Sequence, residues 1–465
     1  MNKLPQPIGR QREVLCLPPS GHQVVLGTAG SGKTTLAILR SLYLANPTTD
    51  HHGKTLLVTF SRCLVSYLES LASFNASNID VRNYHRFARG YLASRGKMRN
   101  FSIADPDVSL NLCKQVLEIA RADNPSEALL QKPAELFREE FAWFAKNGIT
   151  DLNAYLAAKR LGRSGFRVPS SSRGLVFDLY RKYIAARSSA NKDYDWEDLA
   201  LTVCRELLND STNRMYKHVV IDEGQDLSPM EIKSLAACIP ADGSLTFFGD
   251  IAQQIYGRRF SWRSAGLHIS EVWRFEENYR NTQSIAALAL ALARTAAFKA
   301  DADIVSPKSP SADGPKPLLL NFTSDEREKK VIASLAGNLA KSGTVAVLFT
   351  SREQEKDFAR WSGIPSTRLH RDLNRWPSGN GVFRGTFHSA KGLEFDSVII
   401  PFVSASNFPP PADVELFGVE EAMTDHARLL YVGITRARTQ LVLSYSGTPS
   451  SLLPPDPSLY DRKSP

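Results

Sequence analysis

The sequence predicts an α/β protein of two parallel-sheet units, with a helical insertion in the first. Three observations lead there. A glycine-rich loop lies between an apolar run and a helical segment near the start of the chain. Short apolar runs alternate with helical segments in two separate stretches, the pattern of parallel strands joined by crossover helices. Between them, from about residue 91 to residue 210, apolar residues recur only at three- and four-residue spacing.

The loop is Gly27-Thr28-Ala29-Gly30-Ser31-Gly32-Lys33-Thr34, after Val24-Val25-Leu26 and before Leu36-Ala37-Ile38-Leu39. A strand, a glycine-rich loop and a helix in this order form a P-loop. Its glycines let the backbone curl so that N–H groups point at phosphate oxygens. The helix N-terminus adds partial positive charge. Lys33 is expected to reach the β- and γ-phosphates, and the Thr34 hydroxyl to hold Mg²⁺. The expected ligand is therefore a nucleoside triphosphate.

Further strands are expected at Thr55–Phe60 and Ile79–Val81, with a helix at Cys63–Leu71 between them. In the insertion, helices are expected at Asp107–Ala122, Pro133–Lys146 and Leu175–Arg187, interrupted by a small, basic loop at Arg160–Arg167. The sheet pattern resumes at Val219–Glu223 and Leu245–Asp250 and ends near Trp273–Arg280. After a helix at 283–298, strands of the second unit are expected at Leu318–Leu320, Val345–Phe349, Val382–His388, Val398–Ile400 and Leu441–Leu443. The expected division is 1–90 with 211–280 for the first unit, 91–210 for the insertion and 281–446 for the second unit. The Pro/Ser-rich tail 447–465 is expected to be disordered.

Composition sets the outer bounds. The 465 residues carry 57 Lys+Arg against 48 Asp+Glu, a net +9 that suits a polyanionic partner. Five scattered cysteines without a CxxC give no zinc site or disulfide framework, which fits a reducing compartment. The Met1–Pro7 stretch has no apolar signal core, and the longest apolar run, Ile285–Ala293, is too short to span a bilayer. A cytoplasmic protein without membrane contact is expected.

The second chemical signal is Ile221-Asp222-Glu223-Gly224-Gln225-Asp226. An apolar strand ending in two carboxylates places Asp222 to hold Mg²⁺ through water and Glu223 to orient or deprotonate the attacking water.

Gly249-Asp250-Ile251-Ala252-Gln253-Gln254-Ile255-Tyr256, Asn278-Tyr279-Arg280, His388-Ser389-Ala390-Lys391-Gly392-Leu393-Glu394-Phe395 and Tyr431-Val432-Gly433-Ile434-Thr435-Arg436-Ala437 follow in order. With the P-loop and the acidic motif, this set resembles the motif series of UvrD/Rep/PcrA-type superfamily-1 helicases from Gln11 to about Arg438. The resemblance implies two RecA-like P-loop NTPase lobes with ATP and Mg²⁺ in the cleft between them. It implies that Gln11 reads the adenine edge, Tyr279 stacks on the base and Glu394 accepts from the ribose hydroxyl. Gln253 would sense the γ-phosphate, and Arg280 and Arg436 would stabilise the transferring phosphoryl group. For single-stranded DNA it implies Phe60, His85, Tyr256, Trp262 and His388 as stacking or backbone groups, with Thr386 and Lys391 on phosphates. Tyr194–Leu199 resembles a family segment that we read as structural.

The sequence also departs from the family. Trp262 follows Tyr256 at longer than the usual spacing, and His426 and Ala427 stand where the family has an acidic and a basic residue. The interval from Arg280 to Thr386 is too short for the family's second helical insertion. The expected function is ATP-driven 3′ to 5′ translocation on single-stranded DNA or tailed duplex. A second reading is a DNA-sensing ATPase subunit that licenses a partner nuclease, as in Gabija-type antiviral defence. An RNA-directed enzyme is the third.

Overall fold

A computed structural model of the chain describes residues 7, 11–28, 30–59, 78–158, 168–250, 262–276, 278, 281–295, 310, 312–370, 377 and 379–465. The expected helix at Cys63–Leu71 and the basic loop at Arg160–Arg167 lie outside these residues. So do the candidate site residues Ala29, Phe60, Gln253, Tyr256, Tyr279 and Arg280.

The first sheet holds β1 (Gly21–Gly27), β2 (Thr55–Thr59), β3 (Ile79–Asn83), β4 (His218–Ile221), β5 (Ser244–Gly249) and β6 (Val272–Phe275). They lie in the order β3-β2-β4-β5-β1-β6, and every pairing is parallel. Successive side chains of a strand point to opposite faces, so alternate residues supply two apolar layers. Val24, Leu26, Leu56, Val58, Val219, Ile221 and Phe247 pack on one face. Val25, Leu57, Val220 and Phe248 pack on the other. Burial on both faces explains why these strands read as continuous apolar runs rather than alternating ones.

The insertion has a core of its own, built from Phe137, Phe141, Phe144, Tyr155, Phe177 and Tyr183 on the helices Ala134–Asn147, Leu152–Ala157 and Arg173–Ser189. Its expected boundary moves. The helix Leu199–Asn209, counted with the insertion from sequence, places Leu199, Ala200, Val203 and Leu207 in the first sheet's core. The apolar stripe of that helix meets the helices Tyr84–Ser94 and Pro229–Ala237, so packing rather than chain position assigns it.

The second sheet holds β7 (Leu318–Phe322), β8 (Thr344–Phe349), β9 (Ser366–Arg368), β10 (Gly381–Thr386), β11 (Phe395–Ile400), β12 (Ala437–Ser446) and β13 (Asp461–Lys463). Their order is β13-β7-β12-β11-β8-β10-β9, again with all pairings parallel. The segment 447–465 is therefore not the disordered tail its Pro/Ser content suggests. Leu452, Leu453 and Tyr460 enter the second unit's core, Ser450 Oγ donates to Phe408 O, and β13 extends the sheet beside β7. The prolines hold an extended path, while the few apolar residues among them supply enough burial to dock it.

Among the described residues no helix is long and apolar enough to cross a membrane. Two parallel sheets with helical crossovers make this a two-lobed α/β protein, as the sequence predicts.

Candidate active site

The P-loop closes the C-terminal end of β1. Gly30 and Gly32 adopt φ of 79° and 82°, a left-handed conformation that side chains disfavour. Thr28 N–H donates to Phe275 O at 3.1 Å, tying the loop to the end of β6. Lys33 opens the following helix and folds back across the loop. Its ammonium donates to Gly27 O at 2.9 Å and Thr28 O at 2.6 Å, and lies 3.8 Å from the Asp250 carboxylate. Gln11 Nε2 donates to Ser31 O at 3.1 Å, which brings that glutamine onto the loop.

Asp222 and Glu223 follow β4 directly. Both Asp222 carboxylate oxygens are buried without a hydrogen-bond donor in bonding geometry. Burial and then the neighbouring Glu223 push its pKa up, offset only in part by Thr34 and Lys33. A carboxylate in that position calls for a cation. Magnesium keeps several waters and takes one or two carboxylates alongside phosphate. The Thr34 hydroxyl and Asp222 therefore fit the ion, and among the described residues no cluster of three or more acidic, His or Cys ligands competes for it.

Glu223 has φ of 54°, a conformation that costs a residue other than glycine about 1–3 kcal/mol and recurs at functional sites. The residue after it has to be glycine, since a Cβ on Gly224 would collide with the Phe247 ring. Burial opposes its charge, but Lys391, Arg436 and Lys33, with a hydrogen bond from Gln225, outweigh that and lower its pKa. Glu223 is thus held ionised in the field of a first-lobe lysine and two second-lobe cations.

Gln225 shows its role only in three dimensions. Its Nε2 donates to Glu223 Oε2 at 2.5 Å and its Oε1 accepts from Asp250 N–H at 2.9 Å. It therefore fixes the carboxylate against the end of β5, the strand that leads toward Gln253. The sequence placed Gln225 and Asp250 inside motifs but gave neither a task.

Arg436 caps the helix Val419–Thr435 and is completely buried. Its guanidinium donates to Val432 O at 3.1 Å, Leu393 O at 3.4 Å and Thr435 Oγ1 at 3.3 Å. Glu394 stands exposed immediately before β11.

The residues expected on DNA divide. Thr386 ends β10 and His388 lies on the turn after it. Burial, followed by Lys391, lowers the His388 pKa to about 4, so its ring is neutral at pH 7. Lys391 is not where a phosphate contact needs it. It is 2% exposed and forms a buried ion pair with Asp226 of the first lobe. A buried ammonium requires a counter-charge, and Asp226 supplies one across the interface. Trp262 is half-buried, edge-on to the core ring of Phe247 at 5.0 Å, so it carries packing as well. His85 meets Trp196 edge-on at 5.2 Å, with Arg89 6.0 Å over the indole. Trp196 belongs to the stretch read as structural, and it packs half-buried against the first sheet's core.

A strand, a glycine-rich loop and a helix, with two carboxylates at the end of a parallel strand of the same sheet, form the arrangement of a P-loop NTPase. The protein is thus of the two-lobed P-loop NTPase class. Residues 9–279 match the UvrD/REP helicase N-terminal domain and residues 368–448 the UvrD-like helicase C-terminal domain, and the chain belongs to this family. It is 23% identical to the ATP-dependent DNA helicase UvrD2 of Mycobacterium tuberculosis over 94% of this chain and 78% of the relative. It is 24% identical to a probable DNA helicase of Mycoplasma pneumoniae, over 91% and 80%. With DNA helicase IV of Escherichia coli the identity is 23%, over 89% and 65%.

Proposed function

We propose that this chain is an ATP-dependent DNA motor that moves 3′ to 5′ on single-stranded DNA by closing its lobes on the nucleotide. The observation that carries the reading is the acidic motif Asp222–Asp226 standing against the second lobe, where Asp226 pairs with the buried Lys391. Loop N–H groups and Lys33 bind the phosphates, Gln11 meets the adenine edge and Tyr279 stacks on it. Thr34 and Asp222 would hold Mg²⁺, which would supply neutralising charge to the phosphates. Glu223 orients the attacking water and takes its proton as the bond from the γ-phosphorus to the bridging oxygen breaks. ADP and phosphate leave, and Arg280 and Arg436 stabilise the charge on the way. His85, Trp262, Thr386 and His388 offer the surface for the strand, with Phe60 and Tyr256 as the resemblance implies.

ATP turnover is expected to rise several-fold with single-stranded DNA and less with RNA or duplex. DNA affinity is expected to fall steeply between low and physiological salt as counterions are released. Steady-state hydrolysis with each polymer checks this, and fast turnover indifferent to DNA would count against the motor.

The second reading, a DNA-sensing subunit serving a partner nuclease in the manner of antiviral defence, has an observation of its own. Among the described residues from Asn281 to Thr386 the elements are the helix Gln283–Ala293, β7 to β10 and the helices Asp325–Leu339 and Arg352–Trp361. No second helical module stands there among the described residues. The alignment with UvrD2 runs to 557 positions against a chain of 465, so a segment of that relative has no counterpart here. Displacement of a strand from a 3′-tailed duplex separates the two readings.

A further inference from the structure

Arg436 is placed by its backbone as much as by its side chain. Its own N–H donates to Gly433 O at 3.2 Å, and its carbonyl accepts from Phe395 N–H at 3.1 Å. The carbonyls on either side of it, Thr435 O and Ala437 O, accept from Nδ2 of Asn281, at 3.3 Å and 2.5 Å. Carbonyls cannot donate, so the amide orientation is unambiguous: each N–H of the Asn281 amide takes one carbonyl. The remaining Asn281 oxygen accepts from Asn278 Nδ2 at 2.9 Å, and Asn281 N–H donates to Asn278 Oδ1 at 3.2 Å. Asn281 is 1% exposed, and its bonding reaches 154 and 156 residues along the chain.

The position of Asn281 in the fold gives this clamp a consequence. β6 ends at Phe275, whose carbonyl holds Thr28 of the P-loop. Six residues later Asn281 holds the peptides around Arg436. The connection between the lobes is thus tied at one end to the phosphate loop and at the other to the arginine.

We infer that Asn281 is a positioning residue that couples the inter-lobe connection to Arg436, setting where the guanidinium stands when the lobes close. The inference rests on the proposed role of Arg436 in hydrolysis. A misplacement on the scale of an ångström at a reacting centre lowers rate without touching the groups that bind the ground state.

The test is a double-mutant cycle on the full chain. Asn281→Asp keeps the shape but faces the two carbonyls with an acceptor, and Asn281→Leu keeps the volume without any donor. Each is expected to bind a fluorescent ATP analogue with unchanged affinity and to lose kcat on the order of 10²-fold. In an Arg436→Ala background the same changes should cost nothing further, because the group they position is gone. Wild-type kcat in either folded variant overturns the inference, as does a full additional loss in the Arg436→Ala background. Unfolding of both variants overturns it as well, since Asn281 would then hold the fold and not the arginine. If Arg436→Ala alone turns over normally, the hydrolytic role of Arg436 fails and the inference falls with it. Additive losses with a slow Arg436→Ala defeat the inference alone.

Discussion

Arg436→Ala is expected to bind ATP almost as the wild type does and to hydrolyse it on the order of 10³ more slowly, the loss that follows removal of an arginine finger. Binding survives because Lys33 and the loop N–H groups sit on the first lobe, with Gln11 bonded to the loop itself. Hydrolysis fails because charge developing on the transferring group loses its second-lobe partner. The substitution also strips donors from Val432 O, Leu393 O and Thr435 Oγ1, so folding must be checked by thermal melting beside the kinetics. Arg436→Lys serves as the companion, since it keeps the charge but not the planar fork. A nucleotide titration run beside steady-state turnover separates loss of binding from loss of chemistry. Normal hydrolysis by a folded Arg436→Ala would remove this residue from the cleft.

Glu223→Gln has the second large effect. The amide keeps the size of the side chain but can neither take a proton nor present a charge to the water. Turnover is expected to fall by about 10²–10⁴-fold, the range for a lost general base. The sign of the binding change follows from the charges around it. Lys391, Arg436 and Lys33 now depress the pKa of Glu223, and neutralising that carboxylate removes a negative charge from beside the phosphates of ATP. Nucleotide affinity should therefore rise, the lobes should stay closed, and single-stranded DNA should be held more tightly. A variant that hydrolyses at the wild-type rate, or releases ATP faster, contradicts the assignment of Glu223.

The two motifs that define the chemistry were legible because each is contiguous. Gly27–Thr34 and Ile221–Asp226 carry their strand, turn and functional groups within a few residues, so local pattern is enough. The central strands were legible because both sheets bury both faces, which leaves unbroken apolar runs such as Val345–Phe349, whereas the short polar edge strands β9 and β13 carry no such run. What escaped depends on pairs far apart in sequence. Asn281 with Thr435 and Ala437, Lys391 with Asp226, and His85 with Trp196 meet only after the topology is formed. Lys391 illustrates the error this causes, since a lysine in a helicase-like motif reads as a phosphate contact until the fold sets Asp226 beside it. The segment 447–465 misled for a different reason. Its proline and serine content argues disorder, but Leu452, Leu453 and Tyr460 suffice to dock it. The helix Leu199–Asn209 has the same periodicity as the insertion helices, and nothing local reveals which core it joins.

ATP is expected to draw the two lobes together about the connection between Phe275 and Asn281. The direct measurement is the distance between one label on the exposed Ala93 of the first lobe and one on the exposed Glu353 of the second. It is read by energy transfer without nucleotide, with a non-hydrolysable ATP analogue and with ADP. The distance is expected to shorten with the ATP analogue and to relax with ADP. A distance that stays the same in all three conditions would contradict lobe closure.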